Sequence, residues 1–136
     1  MATKKKKPAK KKAAKKKATK RKTWVDALRE EALSYPGAVE DFPWGHSAFK
    51  VNSKIFMTLA ELEAGCRMSF KLPTSRYEAL TFPFTEPTHY GMGKHGWVTA
   101  SFATDEDAPL DLLLEWMEES YRAIAPKRRV QELDAE

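Results

Sequence analysis

The chain has 136 residues, 24 of them Lys or Arg and 19 Asp or Glu, for a formal net charge of +5, and a length that allows one ordinary domain plus an appendage. No apolar run approaches the ~18 residues of a membrane span, and the charged start lacks the apolar core of a secretory signal, so a soluble intracellular protein is expected. A single cysteine, Cys66, excludes an intrachain disulfide and argues against a Cys-based metal site.

Charge divides the chain. Residues 1–22 hold 12 Lys and one Arg with no acid, whereas residues 23–136 hold 11 basic and 19 acidic residues, a net charge of −8. After Met1 the first segment contains only Lys, Arg, Ala, Thr and Pro, which leaves nothing to bury against its ordering entropy, so disorder is expected. Ala and Lys are good helix formers, so helix is expected there only when a polyanion neutralises the like charges, with Pro8 interrupting it. Each phosphate neutralised by such a segment releases counterions, which gives salt-sensitive, sequence-independent affinity for nucleic acid. The candidate contacts are Lys4, Lys5, Lys6, Lys7, Lys10, Lys11, Lys12, Lys15, Lys16, Lys17, Lys20, Arg21 and Lys22. The run from Lys11 to Lys20 resembles the tails of linker histones and of some bacterial nucleoid proteins. In a eukaryotic cell it would also serve nuclear import, while a membrane role lacks both an amphipathic apolar face and a lipidation motif.

The folded domain is expected over residues 23–126, with 127–136 as a C-terminal extension. Thr23 and Asp26 resemble a capping box, and Val25, Leu28, Ala32 and Tyr35 recur at helical spacing up to Pro36-Gly37, which ends a first helix. From Ala38 to Gly45 a connection is expected whose rings, Phe42 and Trp44, pack down on a sheet in preference to stacking on a ligand. Phe49 and Val51, then Ile55, Met57 and Leu59, alternate about Asn52-Ser53, a two-residue hairpin turn. Cys66, Met68 and Phe70 oppose Arg67, Ser69 and Lys71 on a third antiparallel strand with one wet face. Pro73 to Leu80 reads as a short Ser- or Thr-capped helix with Tyr77 and Leu80 inward, followed by an ordered loop from Thr81 to Lys94. Trp97, Thr99 and Ser101 alternate with Val98, Ala100 and Phe102 as a last strand. Asp105 to Asp107 precede a helix begun at Pro109, with Leu110, Leu113, Leu114, Met117, Tyr121 and Ile124 inward, that stops at Pro126. The order predicts a two-layer α+β sandwich with its end helices side by side on one face of an antiparallel sheet.

Phe42-Pro43-Trp44-Gly45-His46, Phe49-Lys50-Val51, Lys54-Ile55-Phe56 and Gly93-Lys94-His95-Gly96-Trp97-Val98 resemble the MmcQ/YjbR-like family of small bacterial proteins, over about Leu28 to Ala125. The resemblance implies a frataxin-like (CyaY-like) fold and a link to DNA binding through a proposed double wing of strands and loops. It carries over Lys50, Lys54 and Lys94, with Trp44 and Trp97 as neighbouring rings for stacking or for a cleft.

Arg67 and Lys71 join Lys50 and Lys54 as candidate phosphate contacts on the sheet, set against an ordinary solvated sheet face. His46, His89 and His95 lack an i, i+4 pair and are expected to be structural or surface residues rather than metal ligands. Glu30, Glu31, Glu40 and Asp41 invite comparison with an acidic metal-binding ridge, but the first pair is explained as the exposed face of the first helix. Cys66 is expected to be buried and unreactive. No phosphate loop, nucleophile elbow or paired-carboxylate signature is present, so neither a reaction nor a cofactor is expected. The expected function is non-enzymatic, nucleoid-associated DNA binding in the cytoplasm. The alternative is a small-molecule or protein-interaction module localised to DNA by its tail, with a ligand in the cleft between the aromatic corner and the loop from Phe82 to Lys94.

Overall fold

A computed structural model describes residues 21–43, 45–103 and 106–136, with the side chains of residues 21–23 left out. The expectations for Lys4 to Lys20, for the side chains of Arg21 and Lys22, and for Trp44 lie outside the described residues. Helix α1 (Arg21–Ser34) starts two residues before Thr23. Val25, Leu28, Ala32 and Tyr35 are buried as expected, and Trp24 joins them. Glu31 does too, at 4% exposed, which corrects its placement on the exposed face. Two helical turns separate it from Trp24, so it lies on the same inner stripe.

Gly37, at φ +74°, turns the chain into β1 (Ala38–Asp41), a strand where only a connection was expected. It lines the sheet's outer edge, so Phe42, just past its end, has no layer to pack on and is 60% exposed. That overturns the expected packed ring. β2 (Ser47–Val51) and β3 (Lys54–Leu62) form the expected hairpin, and Asn52 and Ser53 both have positive φ, at +49° and +71°. Such a pair matches the right-handed twist of the strands. Phe49 faces Met57 while Lys50 faces Ile55, so Phe56 is an extra residue, and this bulge lets Phe56 and Met57 both be fully buried. Strict alternation had turned Phe56 outward.

β4 (Gly65–Lys71) and β6 (Trp97–Ala103) alternate as expected, and Cys66 is buried. Between them, helix α2 (Arg76–Ala79) makes no side-chain cap of its own. Glu119 serves instead, accepting the N–H groups of Thr74 and Ser75 at 2.8 and 2.9 Å and the Ser75 hydroxyl at 2.6 Å. Tyr77 is exposed rather than inward, and Ala79 is the buried residue. The expected loop contains a short strand, β5 (Thr85–Pro87), and a 3₁₀ turn over Gly93–His95. α3 (Leu110–Ile124) has its predicted bounds, and beyond Pro126 comes a helix, α4 (Lys127–Ala135), that anchors itself by Leu133.

The six strands form one antiparallel sheet in the order β1-β2-β3-β4-β6-β5. α3 lies across β3 and β4, and α1 packs on α3 and β1, so the α+β two-layer sandwich stands as predicted. The core is aromatic-rich. Tyr35 stacks on Tyr121 at 4.6 Å, Phe56 meets that ring edge-on at 5.3 Å, and Trp24 meets Phe102 at 5.5 Å.

Candidate functional site on the open face of the sheet

Residues paired across antiparallel strands share a face, so the register sorts the whole sheet. Met57, Phe70 and Val98 form one row, and Leu59, Met68 and Ala100 another, both under the helices. Between them on the opposite face runs the row Ala48, Thr58, Ser69, Thr99 and Glu86. The next row holds Ala60, Arg67 and Ser101. Small side chains thus make the middle of a face flanked by larger ones, and the result is a cavity of about 390 Å³. Thr58, Ala60, Ser69, Thr88 and Thr99 make its floor, while His46, Leu62, Arg67, Glu86, His89 and Tyr90 stand around it.

The floor is hydrogen-bonded within itself. Ser69 Oγ lies 3.0 Å from Thr99 Oγ1, which lies 2.9 Å from Thr88 Oγ1. Ser69 and Thr99 are buried, although no helix among the described residues lies across this face. At one end His89 Nε2 approaches Glu86 Oε2 at 3.6 Å. On the rim Arg67 is exposed and has no ion pair among the described residues.

The other cations singled out in the sequence do not gather here. Lys50 pairs with Asp41 at 2.8 Å. That contact, helped by the Phe42 N–H, holds the Asp41 carboxyl below its ordinary range. Lys54 is exposed at the hairpin end, Lys71 is half-buried beside Trp97, and Lys94 sits in the 3₁₀ turn with its carbonyl accepting from Arg76. Trp97 is itself buried, so its face is not open to a base. The acidic set is dispersed as well. Glu40 and Asp41 point to opposite faces of β1, and Glu40 is held by Arg29 at 2.5 Å and by the Ser47 hydroxyl at 2.6 Å. His46 and His89 line the cavity while His95 belongs to the 3₁₀ turn.

A family model, YjbR, matches residues 33–123, two thirds of the chain. The chain belongs to the YjbR family. A crystal structure of the Deinococcus radiodurans protein DR2400, described as a DUF419 domain, is 29% identical with a TM-score of 0.64, over 80% of this chain and 86% of that one. A Pseudomonas syringae protein, 17% identical with a TM-score of 0.56 over 72% of this chain and 96% of its own, shares the fold. No curated protein matches.

The YjbR match encloses every residue of the cavity and leaves out residues 1–22 and α4. The cavity lies between the corner before β2 and the loop after β5, and hydroxyl side chains make its floor. Thr58, Thr88 and Thr99 went unnoticed as site residues. The available signal was short hydroxyl side chains at alternate positions on strands that pair; it becomes visible only once the register is known.

Proposed function

We propose that this YjbR-family protein binds nucleic acid without catalysing a reaction, as a cytoplasmic, nucleoid-associated protein gripped to DNA through residues 1–22. One observation carries the reading: 13 cations with no acid in that segment, joined to a body of net charge −8. Solubility alone does not require single-sign charge at such density. The dispersal of the domain's cations supports a division of labour. Lys50 is neutralised by Asp41, and Trp97 is buried, so the sheet offers little for phosphate contact or base stacking. The tail then supplies affinity, and the domain, read as the frataxin-like variant of its two-layer architecture, supplies positioning or partner choice.

The test is a titration of the full chain with duplex DNA at several salt concentrations, beside a variant with all twelve Lys of residues 1–22 exchanged for Gln. The wild type is expected to show a log–log slope against salt of about −0.9 per phosphate contacted, and the variant to lose binding. Undiminished affinity in the variant overturns the reading.

A further inference from the structure

The cavity on the open face of the sheet has no part in tail-mediated DNA binding, and three features of it point to another ligand. Its volume, about 390 Å³, falls in the range of ~300–1,000 Å³ in which proteins enclose small molecules. Its floor is a proton-donating one. Ser69, Thr99 and Thr88 form a chain of three hydroxyls joined by two hydrogen bonds. Three O–H groups supply three protons and the two internal bonds use two, so one O–H of the chain is left to donate. Its rim carries a cation, Arg67, with no ion pair among the described residues. Arg67 stands on the face of Ser69, two residues along β4, or about 7 Å. The sheet gives Arg67 no counter-ion: directly opposite it are Ala60 and Ser101. Lys50, on the same sheet, shows the usual outcome, a carboxylate at 2.8 Å.

From this we propose that the cavity binds a small organic anion, its phosphate or carboxylate head held by the Arg67 guanidinium and the donating hydroxyl of the floor. Guanidinium offers a planar fork of donors that fits either head. Glu86 lies at the far end of the floor, opposite Thr99, and sets the polarity. Its charge repels the head and favours a hydroxyl or ammonium group of the same ligand at that end. Burial of the floor keeps the donor dry, which strengthens its bond to an anion relative to one made in bulk water. The proposal is independent of the nucleic-acid reading, since it uses no residue of the tail.

The experiment uses the full ¹⁵N-labelled chain, titrated with inorganic phosphate and separately with succinate and followed at the backbone amides of Thr58, Ser69 and Thr99. Reading those amides separates the cavity from anion binding by the lysine-rich segment. Saturable shifts there with phosphate assign a phosphate head, and with succinate a carboxylate head; either outcome supports the site. Arg67→Gln is expected to weaken binding at least fivefold, whereas Lys71→Gln, which removes the same charge farther along the same strand face, leaves it unchanged. Ala60→Met, which fills the cavity without altering charge, is expected to give the same loss as Arg67→Gln in a chain whose melting temperature stays near wild type. Shifts confined to residues 1–22, no saturation with either probe, equal losses in the Arg67 and Lys71 variants, or full binding by Ala60→Met would each overturn the proposal.

Discussion

Ser120 shows what one hydroxyl contributes to this fold. Fully buried on α3, it donates to the Phe56 carbonyl at 2.5 Å and accepts the Lys71 N–H at 2.8 Å, tying the β3 bulge and the end of β4 to the helix layer. Ser120→Ala leaves both backbone groups short of a partner and is expected to cost about 1–3 kcal/mol in urea denaturation. The next residue, Tyr121, donates its phenolic proton to the Pro36 carbonyl at 2.7 Å. Burial pushes its pKa up to about 12, and burial pushes that of Tyr35, stacked on it, in the same direction. Both rings hold protons in the folded state that the unfolded chain releases above about pH 10. Their contribution to stability is therefore complete below pH 10 and lost as pH rises towards 12. Urea midpoints measured from pH 9 to 11.5 should fall, and Tyr121→Phe should reduce that fall while lowering stability at neutral pH. The inward aliphatic set was legible in the sequence by its spacing. Ser120, Glu31 and Phe56 were not, because a hydroxyl, a carboxylate and a bulge each break the rule that reads burial from apolar period.

Elements with many residues in period were equally legible. α3 and the β2–β3 hairpin have their predicted places, the hairpin because Asn52 tolerates the left-handed region its turn needs. Ser53 tolerates it less well at φ +71°, so Ser53→Gly is expected to stabilise the domain by roughly 0.5–1 kcal/mol, read from the shift in denaturation midpoint at constant slope. The edge strands β1 and β5 were missed. Four and three residues long, they are too short to display a period, and their strand geometry comes from the neighbour each one pairs with. α4 was missed for a related reason: it has a single buried anchor, Leu133, on an otherwise polar helix. Leu133→Ala should cost about 2–4 kcal/mol and speed amide exchange across α4. At the turn into β4, Gly65 faces the Phe102 carbonyl so closely that a Cβ would stand 2.1 Å from it. No rotamer relieves a clash with backbone, so Gly65→Ala should displace β4 from β6 and unfold more of the population than Leu133→Ala does.

At the scale of the molecule, fold and proposed affinity reside in different parts of the chain. Among the described residues, the buried hydrophobics that make the core fall between Trp24 and Leu133, so exchanging the twelve tail lysines for glutamine should leave the unfolding midpoint of the domain within about 0.5 kcal/mol of wild type. Arg29 joins the layers at the sheet edge, bridging from α1 to Glu40 and Glu61. By itself the sequence determined the α+β class, the bounds of α3, the hairpin turn, the alternation of β4 and β6 and the division of charge. Each of these depends on residues close in the chain, where periodicity, turn chemistry and composition act directly. Only the tertiary structure decided that the lysines of the sheet stand apart, that Trp97 is covered and that three hydroxyls on two strands and a loop meet beside an arginine with no ion pair among the described residues. Those relations depend on which strand lies next to which and in what register. Register is the outcome of packing the whole sheet against its helices, and no local stretch of the chain encodes it.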